Sequence, residues 1–305
     1  MKASDVRKLK KRIAPAYTEM FSGRVYKVGE GAVSVRNHSG EARHTVIGVH
    51  GFLENHCYFT QLYQEPTTEL ILLTCSNYHI PVSGPNIERP AWVQRNTYPV
   101  ATIEYDARIL IQTLENLPSS RQVRVHGHSR GGGVIIEAAR QRPELFRNVD
   151  VVLEAPVLPQ GQLHALVRTI LEPVSHGMWP WIVRAINSTP TSTYGQTFFG
   201  RMNGRKKQLL TRMFAATQDH LTIVRNLENI MAWMEQWNPE ILANIRQGTI
   251  LIPESDRILD REIMLERARH LPTAVRIVET HNTSHFITLD SLEWLPSMDD
   301  IPRVA

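Results

Sequence analysis

Residues 123–136 run Val123-Arg124-Val125-His126-Gly127-His128-Ser129-Arg130-Gly131-Gly132-Gly133-Val134-Ile135-Ile136: a short apolar strand pattern, a G-x-S-x-G pentapeptide over 127–131, and an apolar stretch with helical spacing. A chain that passes from strand to helix within so few residues must turn sharply, which puts the serine in strained backbone geometry. Glycines two positions before and two after it remove Cβ atoms that would clash between strand and helix. Ser129 Oγ is then expected to project above a sheet as a nucleophile. Three consecutive glycines opening a helix are each unfavourable by up to about 1 kcal/mol relative to alanine, so a steric demand must oppose that penalty. A phosphate-binding glycine loop is excluded, because the Lys-Ser/Thr pair and its spacing are missing.

A serine hydroxyl needs a general base within hydrogen-bond reach, and the base needs a third group to hold its tautomer. Two later strand patterns run into suitable loops. The strand at 249–252 enters Pro253-Glu254-Ser255-Asp256-Arg257-Ile258-Leu259-Asp260, and the strand near 274–278 enters Thr280-His281-Asn282-Thr283-Ser284-His285-Phe286. His285 and His281 are both candidates for the base. Asp256 is a candidate acid; Asp260 could instead cap the next helix, Glu254 could be a solvated loop acid, and Glu154 ends an earlier strand. A tetrahedral intermediate also requires two preorganised N–H donors. The strand at 45–49 ends in His50-Gly51-Phe52-Leu53, so the N–H groups of Phe52 and Arg130 are the expected suppliers. His50 is expected to bridge backbone groups beneath that loop, and Gly51 to permit close approach of the chain. Glu54, Asn55 and His56 continue the loop, either lining the site or forming a polar turn.

Short apolar runs at 23–29, 32–35, 45–49, 70–74, 123–126, 149–153, 249–252 and 274–278 give eight candidate strands. The first two are joined at Gly29-Glu30-Gly31 as a hairpin, and several later ones by helix-length segments at 100–117, 133–142 and 261–270. The sheet is therefore expected to start antiparallel and continue mostly parallel. The interval from 153 to 249 is too long for one crossover, and residues 157–239 read as an insertion of helices broken by Pro173, Pro180 and Pro190.

The order Ser, Asp, His with a strand-turn-helix serine resembles the α/β-hydrolase superfamily, over roughly residues 25–295. In that family the histidine is commonly followed by an aromatic or apolar residue, as in His285-Phe286, and the acid by two variable residues and an apolar position, as in Asp256-Arg257-Ile258-Leu259. The resemblance thus implies Ser129 as nucleophile, His285 as base and Asp256 as its orienting acid. It also implies an α/β fold: a mostly parallel eight-stranded sheet flanked by helices, with a helical cap inserted after the sixth strand. The expected organisation is a basic amphipathic helix at 1–22, the first part of the core at 23–156, the cap at 157–239 and the second part of the core at 240–305. One departure concerns the loop after the fourth strand, Thr74-Cys75-Ser76-Asn77-Tyr78-His79-Ile80-Pro81, where the family often carries Asp-x-x-Gly. The last helix is also short.

A serine nucleophile excludes members that form alkyl-enzyme intermediates on aspartate, leaving acyl chemistry. The leading expectation is hydrolysis of a carboxylic ester with an apolar acyl group through an acyl-enzyme. Thioester hydrolysis or acyl transfer is the alternative, and a catalytically silent binding protein the second. Candidate substrate contacts are His50, Gly51, Leu53 and His128, with Trp179 and Phe198 from the insertion. No cofactor and no metal is called for. Arg205, Lys206 and Lys207 read as a solvated face, or as a contact for an anionic headgroup or phosphate.

The composition sets further bounds. The chain has 305 residues, 42% of them hydrophobic, enough for a sizeable core. Its net charge of +4 is local: the first twelve residues hold six basic side chains against Asp5 alone, and the rest is near neutral. That argues against nucleic acid as a partner. Val6, Leu9, Ile13, Tyr17 and Met20 form one helical stripe among these basic residues, suited to packing on the domain or to peripheral membrane contact. No apolar run approaches the roughly 18 residues of a membrane span, and Cys57 and Cys75 lack metal or disulfide spacing, so a cytoplasmic protein is expected. The sequence does not fix the oligomeric state.

Overall fold

The computed structural model describes residues 19–36, 40–83, 86–171, 199–204, 206–207 and 220–301. Its framework is a sheet of nine strands among the described residues, in the order β11-β10-β9-β8-β4-β5-β3-β2-β7. The strands are β2 (Gly23–Val28), β3 (Gly31–Arg36), β4 (His44–Val49), β5 (Thr68–Thr74), β7 (Ile87–Glu88), β8 (Val123–His128), β9 (Val149–Glu154), β10 (Gly248–Ile252) and β11 (Val275–Glu279). All eight expected strands are present. The ninth, β7, is only two residues long and pairs with β2 at the sheet edge, too short to show any periodicity in sequence.

β2 and β3 form the expected hairpin, turning at Gly29 and Glu30 with Gly29 at φ 57. β3 pairs antiparallel with β5, and the strands from β5 through β11 are mutually parallel. The central strands β4, β5, β8 and β9 are buried at every position, so their apolar residues form the core, and charged ones such as Arg124 and Asp150 are paired with each other. Parallel register places the carboxyl ends side by side. Val49 lies opposite Gly127, His128 opposite Glu154, and Ile252 opposite Glu279, so the loops that follow these strands open on one edge of the sheet.

The helices are α1 (Ile103–Asn116), α2 (Arg130–Gln141), α3 (Ala165–Leu171), α4 (His220–Gln236), α5 (Arg261–Ala268) and the single turn α6 (Ile287–Asp290). Thr102 caps α1 by accepting the Tyr105 N–H at 3.1 Å. The main core joins the sheet to α1, α2 and α4 through side chains such as Ile109, Ile135, Val151 and Trp233. A smaller cluster on the opposite face gathers Val46, Tyr58, Phe59, Leu70, Leu72 and Phe286. No described helix is long and apolar enough to cross a membrane.

Two expectations fall largely outside the described residues. Residues 1–18 of the N-terminal helix lie outside the described residues, and the end of that range is extended: β1 (Glu19–Met20) pairs parallel with β6 (Val82–Ser83). Within the inserted stretch, 172–198 and 208–219 lie outside the described residues. What is described is bound into the core: Trp233 of α4 is fully buried and donates from Nε1 to Glu137 Oε2 at 3.2 Å, and Ile230 and Met234 join the main core.

α2 begins at Arg130, directly after the serine, so the three glycines lie inside it. A Cβ on Gly131 would sit 2.0 Å from the Val49 carbonyl oxygen, and one on Gly132 2.4 Å from Pro156 Cβ; on Gly133 the nearest atom would be at an ordinary 3.4 Å. The steric demand therefore falls on the first two glycines and not the third. Gly131→Ala should cost at least about 3 kcal/mol, because a backbone oxygen cannot step aside as a side chain can. Gly133→Ala should stabilise the protein by up to about 1 kcal/mol through helix propensity. Thermal melts of the pair check this, and equal melting temperatures would contradict the close approach of α2 to β4.

Candidate active site

Ser129 stands between β8 and α2 at φ 53 and ψ −119, a conformation L residues avoid. Its backbone is held from both sides. The N–H donates to the Glu154 carbonyl at 2.9 Å, while its own carbonyl accepts from Gly132 N–H at 3.0 Å and Val157 N–H at 2.9 Å. The side chain is nearly enclosed, with the residue 6% exposed.

His285 and Asp256 come together as the sequence suggests. His285 Nδ1 donates to Asp256 Oδ2 at 2.6 Å, and both residues are buried. The other carboxylate oxygen, Oδ1, accepts the N–H groups of Ile258 at 2.7 Å and Leu259 at 2.9 Å. The carboxylate is thus fixed by its own loop and presents its remaining oxygen to the imidazole. In the neutral ring that contact keeps the proton on Nδ1 and leaves Nε2 as the acceptor nitrogen.

The alternatives take other places. His281 is exposed, with its ring 6.1 Å from that of Trp294. Asp260 caps α5 by accepting Ile263 N–H at 3.1 Å. Glu254 is exposed and accepts the Asn282 N–H, joining the acid loop to the histidine loop. Glu154 is wholly buried and accepts from Tyr58 Oη at 2.7 Å, His126 Nε2 at 3.1 Å and Thr288 N–H at 2.7 Å. Burial alone would raise its pKa, but the hydrogen bond from His126 and the nearby His128 charge hold it down to about 2. It is a structural anion beneath the site. His126, donating from Nε2, accepts from Tyr63 Oη at Nδ1 (2.9 Å) and is kept neutral by burial.

The loop after β4 lies beside Ser129 because Val49 and Gly127 are register partners. His50 is fully buried, and both ring nitrogens serve the backbone: Nδ1 donates to the Gly51 carbonyl at 2.9 Å, and Nε2 accepts the Cys75 N–H at 3.1 Å. Burial lowers its pKa, which keeps this neutral tautomer. Gly51 C=O and Phe52 N–H belong to one peptide unit, so fixing the carbonyl inward turns the Phe52 N–H the other way. That N–H has no backbone acceptor among the described residues. The Arg130 N–H is in the first turn of α2, whose donors have no partner within the helix. Leu53 follows at φ 61, donating to Tyr78 Oη at 3.3 Å.

His50 takes its expected bridging place beneath the loop, and both it and His128, the two also offered as substrate contacts, are fully buried with both nitrogens facing protein oxygens or backbone. Gly51 is buried too, leaving half-buried Phe52 and Leu53 as the accessible part of the loop, packed against Ile223, Val224 and Leu227 of α4. Trp179 and Phe198 lie outside the described residues.

Three charged pairs around these loops are not apparent from the sequence. Arg130 Nη2 donates to Asp106 Oδ2 at 2.7 Å, with both side chains fully buried, while Asp106 Oδ1 accepts Ser76 N–H at 2.8 Å. His128 Nδ1 lies 2.8 Å from Glu54 Oε1, out of line with its N–H direction. Lys206, expected on a solvated face, is buried: its Nζ donates to Asp290 Oδ1 at 2.5 Å, Ser284 Oγ at 2.8 Å and the Phe199 carbonyl. Burial lowers its pKa, opposed by Asp290. A basic triplet carries no sign that one member turns inward, since its partners lie at 284 and 290. No group of three His, Cys, Asp or Glu side chains among the described residues is arranged to hold a metal.

A parallel sheet with a strained serine between strand and helix, and a histidine held by an aspartate on loops of the same sheet edge, points to one class. The alpha/beta hydrolase family model matches residues 46–295, and the chain belongs to that family. Solved structures agree in fold. An alpha/beta hydrolase fold protein from Chitinophaga pinensis superposes with a TM-score of 0.61 at 16% identity, covering 92% of this chain and 94% of its own. An esterase from Exiguobacterium antarcticum gives 0.60 at 17%, covering 89% and 95%. A membrane phospholipase A described as a bacterial virulence factor gives 0.63 at 15%, covering 94% and 84%. At these identities the likeness is one of fold. No curated protein matches the sequence.

Proposed function

We propose that the protein is a serine hydrolase cleaving a carboxylic ester through an acyl-enzyme. The observation that carries this reading is the 2.6 Å bond from His285 Nδ1 to Asp256, on the loop edge where Ser129 is held at positive φ. In this reading Ser129 Oγ attacks the acyl carbon while His285 Nε2 takes its proton. The N–H groups of Phe52 and Arg130 receive the charge that develops on the carbonyl oxygen. His285 then returns the proton to the leaving alkoxide. Water, deprotonated by the same imidazole, attacks the acyl-enzyme, and Ser129 is regenerated as the acid leaves. The apolar neighbourhood of Phe52, Leu53, Ile223, Val224 and Leu227 favours an apolar acyl group.

Thioester hydrolysis would use the same machinery, favoured if the basic triplet at 205–207 faced a phosphate-bearing substrate. Lys206 is committed to Asp290, Ser284 and Phe199, which removes one of those cations and favours the ester. Steady-state turnover of a p-nitrophenyl ester series and an acyl-CoA series tests the choice. Preference for esters is expected, by at least about tenfold in kcat/KM. Preference for acyl-CoA would move the assignment to a thioesterase, and a folded but inactive protein would favour a binding scaffold.

A further inference from the structure

His128 touches all three loops of the candidate site. As the residue before Ser129 it belongs to the turn itself. Its Nε2 is 2.9 Å from the His285 carbonyl oxygen, so that nitrogen must carry a hydrogen. Its Nδ1 is 2.8 Å from Glu54 Oε1, and the second oxygen of Glu54 accepts the Gly51 N–H at 2.7 Å. Nε2 thus donates to an oxygen that can only accept, and Nδ1 lies against a carboxylate oxygen at ion-pair distance, although out of line for a hydrogen bond, so the doubly protonated imidazolium suits both. Gly51 must be glycine for this contact: a Cβ there would lie 2.8 Å from Glu54 Oε2.

We propose that Glu54 and His128 are a charged positioning pair that holds the oxyanion loop, the serine turn and the histidine loop in one register. The proposal rests on the hydrolase reading. The imidazolium is enclosed by Tyr58, whose ring stacks on it at 4.4 Å and 11°, by Phe286 at 5.2 Å and by the His285 ring at 4.9 Å. The other titratable groups around it are Glu154, which accepts from the stacked Tyr58, and His126, which is neutral. Burial pulls the His128 pKa down, but the Glu54 charge, with Glu154 and the His285 carbonyl, raises it on balance to about 9. Its contribution to stability is therefore fully present below the ordinary imidazole value and is lost as pH rises through about 9. Deprotonation leaves one ring nitrogen bare against an oxygen, so a loop is released and geometry suffers more than substrate affinity.

The test uses the intact, uniformly nitrogen-labelled chain, following the imidazole of His128 and the amides of Gly51 and Phe286 by NMR from neutral to alkaline pH, beside kcat and KM on the preferred ester, corrected for its spontaneous hydrolysis. His128 is expected to titrate as an imidazolium near 9, with both amides moving at the same midpoint and kcat falling on the same limb. Glu54→Gln keeps an acceptor for Gly51 but removes the charge. It should shift that midpoint and the alkaline limb of kcat together towards neutrality and lower kcat about ten- to a hundredfold, leaving KM within about twofold. Glu54→Asp should recover part of the shift. A His128 that is neutral at pH 7 in the unsubstituted protein overturns the proposal without any variant, as does a limb that Glu54→Gln leaves in place. Coupled titration of the two amides in a protein that hydrolyses no substrate would support the pair and sink the hydrolase reading instead.

Discussion

Ser129→Ala is expected to abolish ester turnover, lowering kcat by a factor of about 10⁴ to 10⁶, in a protein that melts where the parent does. The loss is large because the bond to the acyl carbon has no other donor: His285 can still deprotonate water, but an unbound water lacks the positioning that the turn gives to Oγ. The melt should hardly move, because alanine keeps the Cβ and so keeps the φ 53 strain of the turn. Ser129→Gly separates the two effects. It should be equally inactive yet more stable by about 1 to 3 kcal/mol, since glycine adopts that conformation freely. Activity of Ser129→Ala within tenfold of the parent would remove the nucleophile from the mechanism. A glycine variant no more stable than the alanine one would show that the turn stores no strain.

Asp256→Asn is expected to cost about 10⁴ in kcat, also without unfolding. The asparagine carbonyl can keep the two backbone hydrogen bonds from Ile258 and Leu259, which directs its amide group at His285 Nδ1. An amide N–H facing Nδ1 makes that nitrogen an acceptor and moves the ring proton to Nε2. The base is then occupied before the reaction begins. Substrate binding involves neither group, so KM should stay within a few-fold. Steady-state kinetics with a melt of the same sample decide it. A loss smaller than about tenfold would mean that His285 keeps its tautomer without Asp256, and would reopen the choice of acid.

The parts legible in the sequence were those set by local rules. Parallel strands covered on both faces are mostly apolar, so the long strands announced themselves, and the glycine spacing around Ser129 encodes a steric requirement that Gly131 meets against Val49. Asp256 and Asp260 were harder: both are loop acids before a helix, and only the N-cap geometry assigns Asp260 to α5. His281 and His285 share one loop, and spacing alone could not tell the exposed ring from the buried one; family likeness chose between them. Pairs such as Glu54 with His128, or Lys206 with Asp290, were not legible because their partners are brought together by the register of β4, β8 and β11. A side chain in a basic triplet looks the same whether it will meet water or a carboxylate.

The buried Lys206 has a consequence for inheritance and for engineering. Its ammonium joins residue 199 of the inserted stretch to the segment just before His285, and Ser284 packs so closely on Gly200 that a Cβ there would lie 2.6 Å from Ser284 Cβ. An inserted stretch exchanged between relatives would bring its own residue to this point and leave the nearly enclosed Asp290 carboxylate with its Ser284 donors but no cation. Successful chimeras should therefore carry residues 199–207 and 284–290 as one cassette, although they are far apart in the gene.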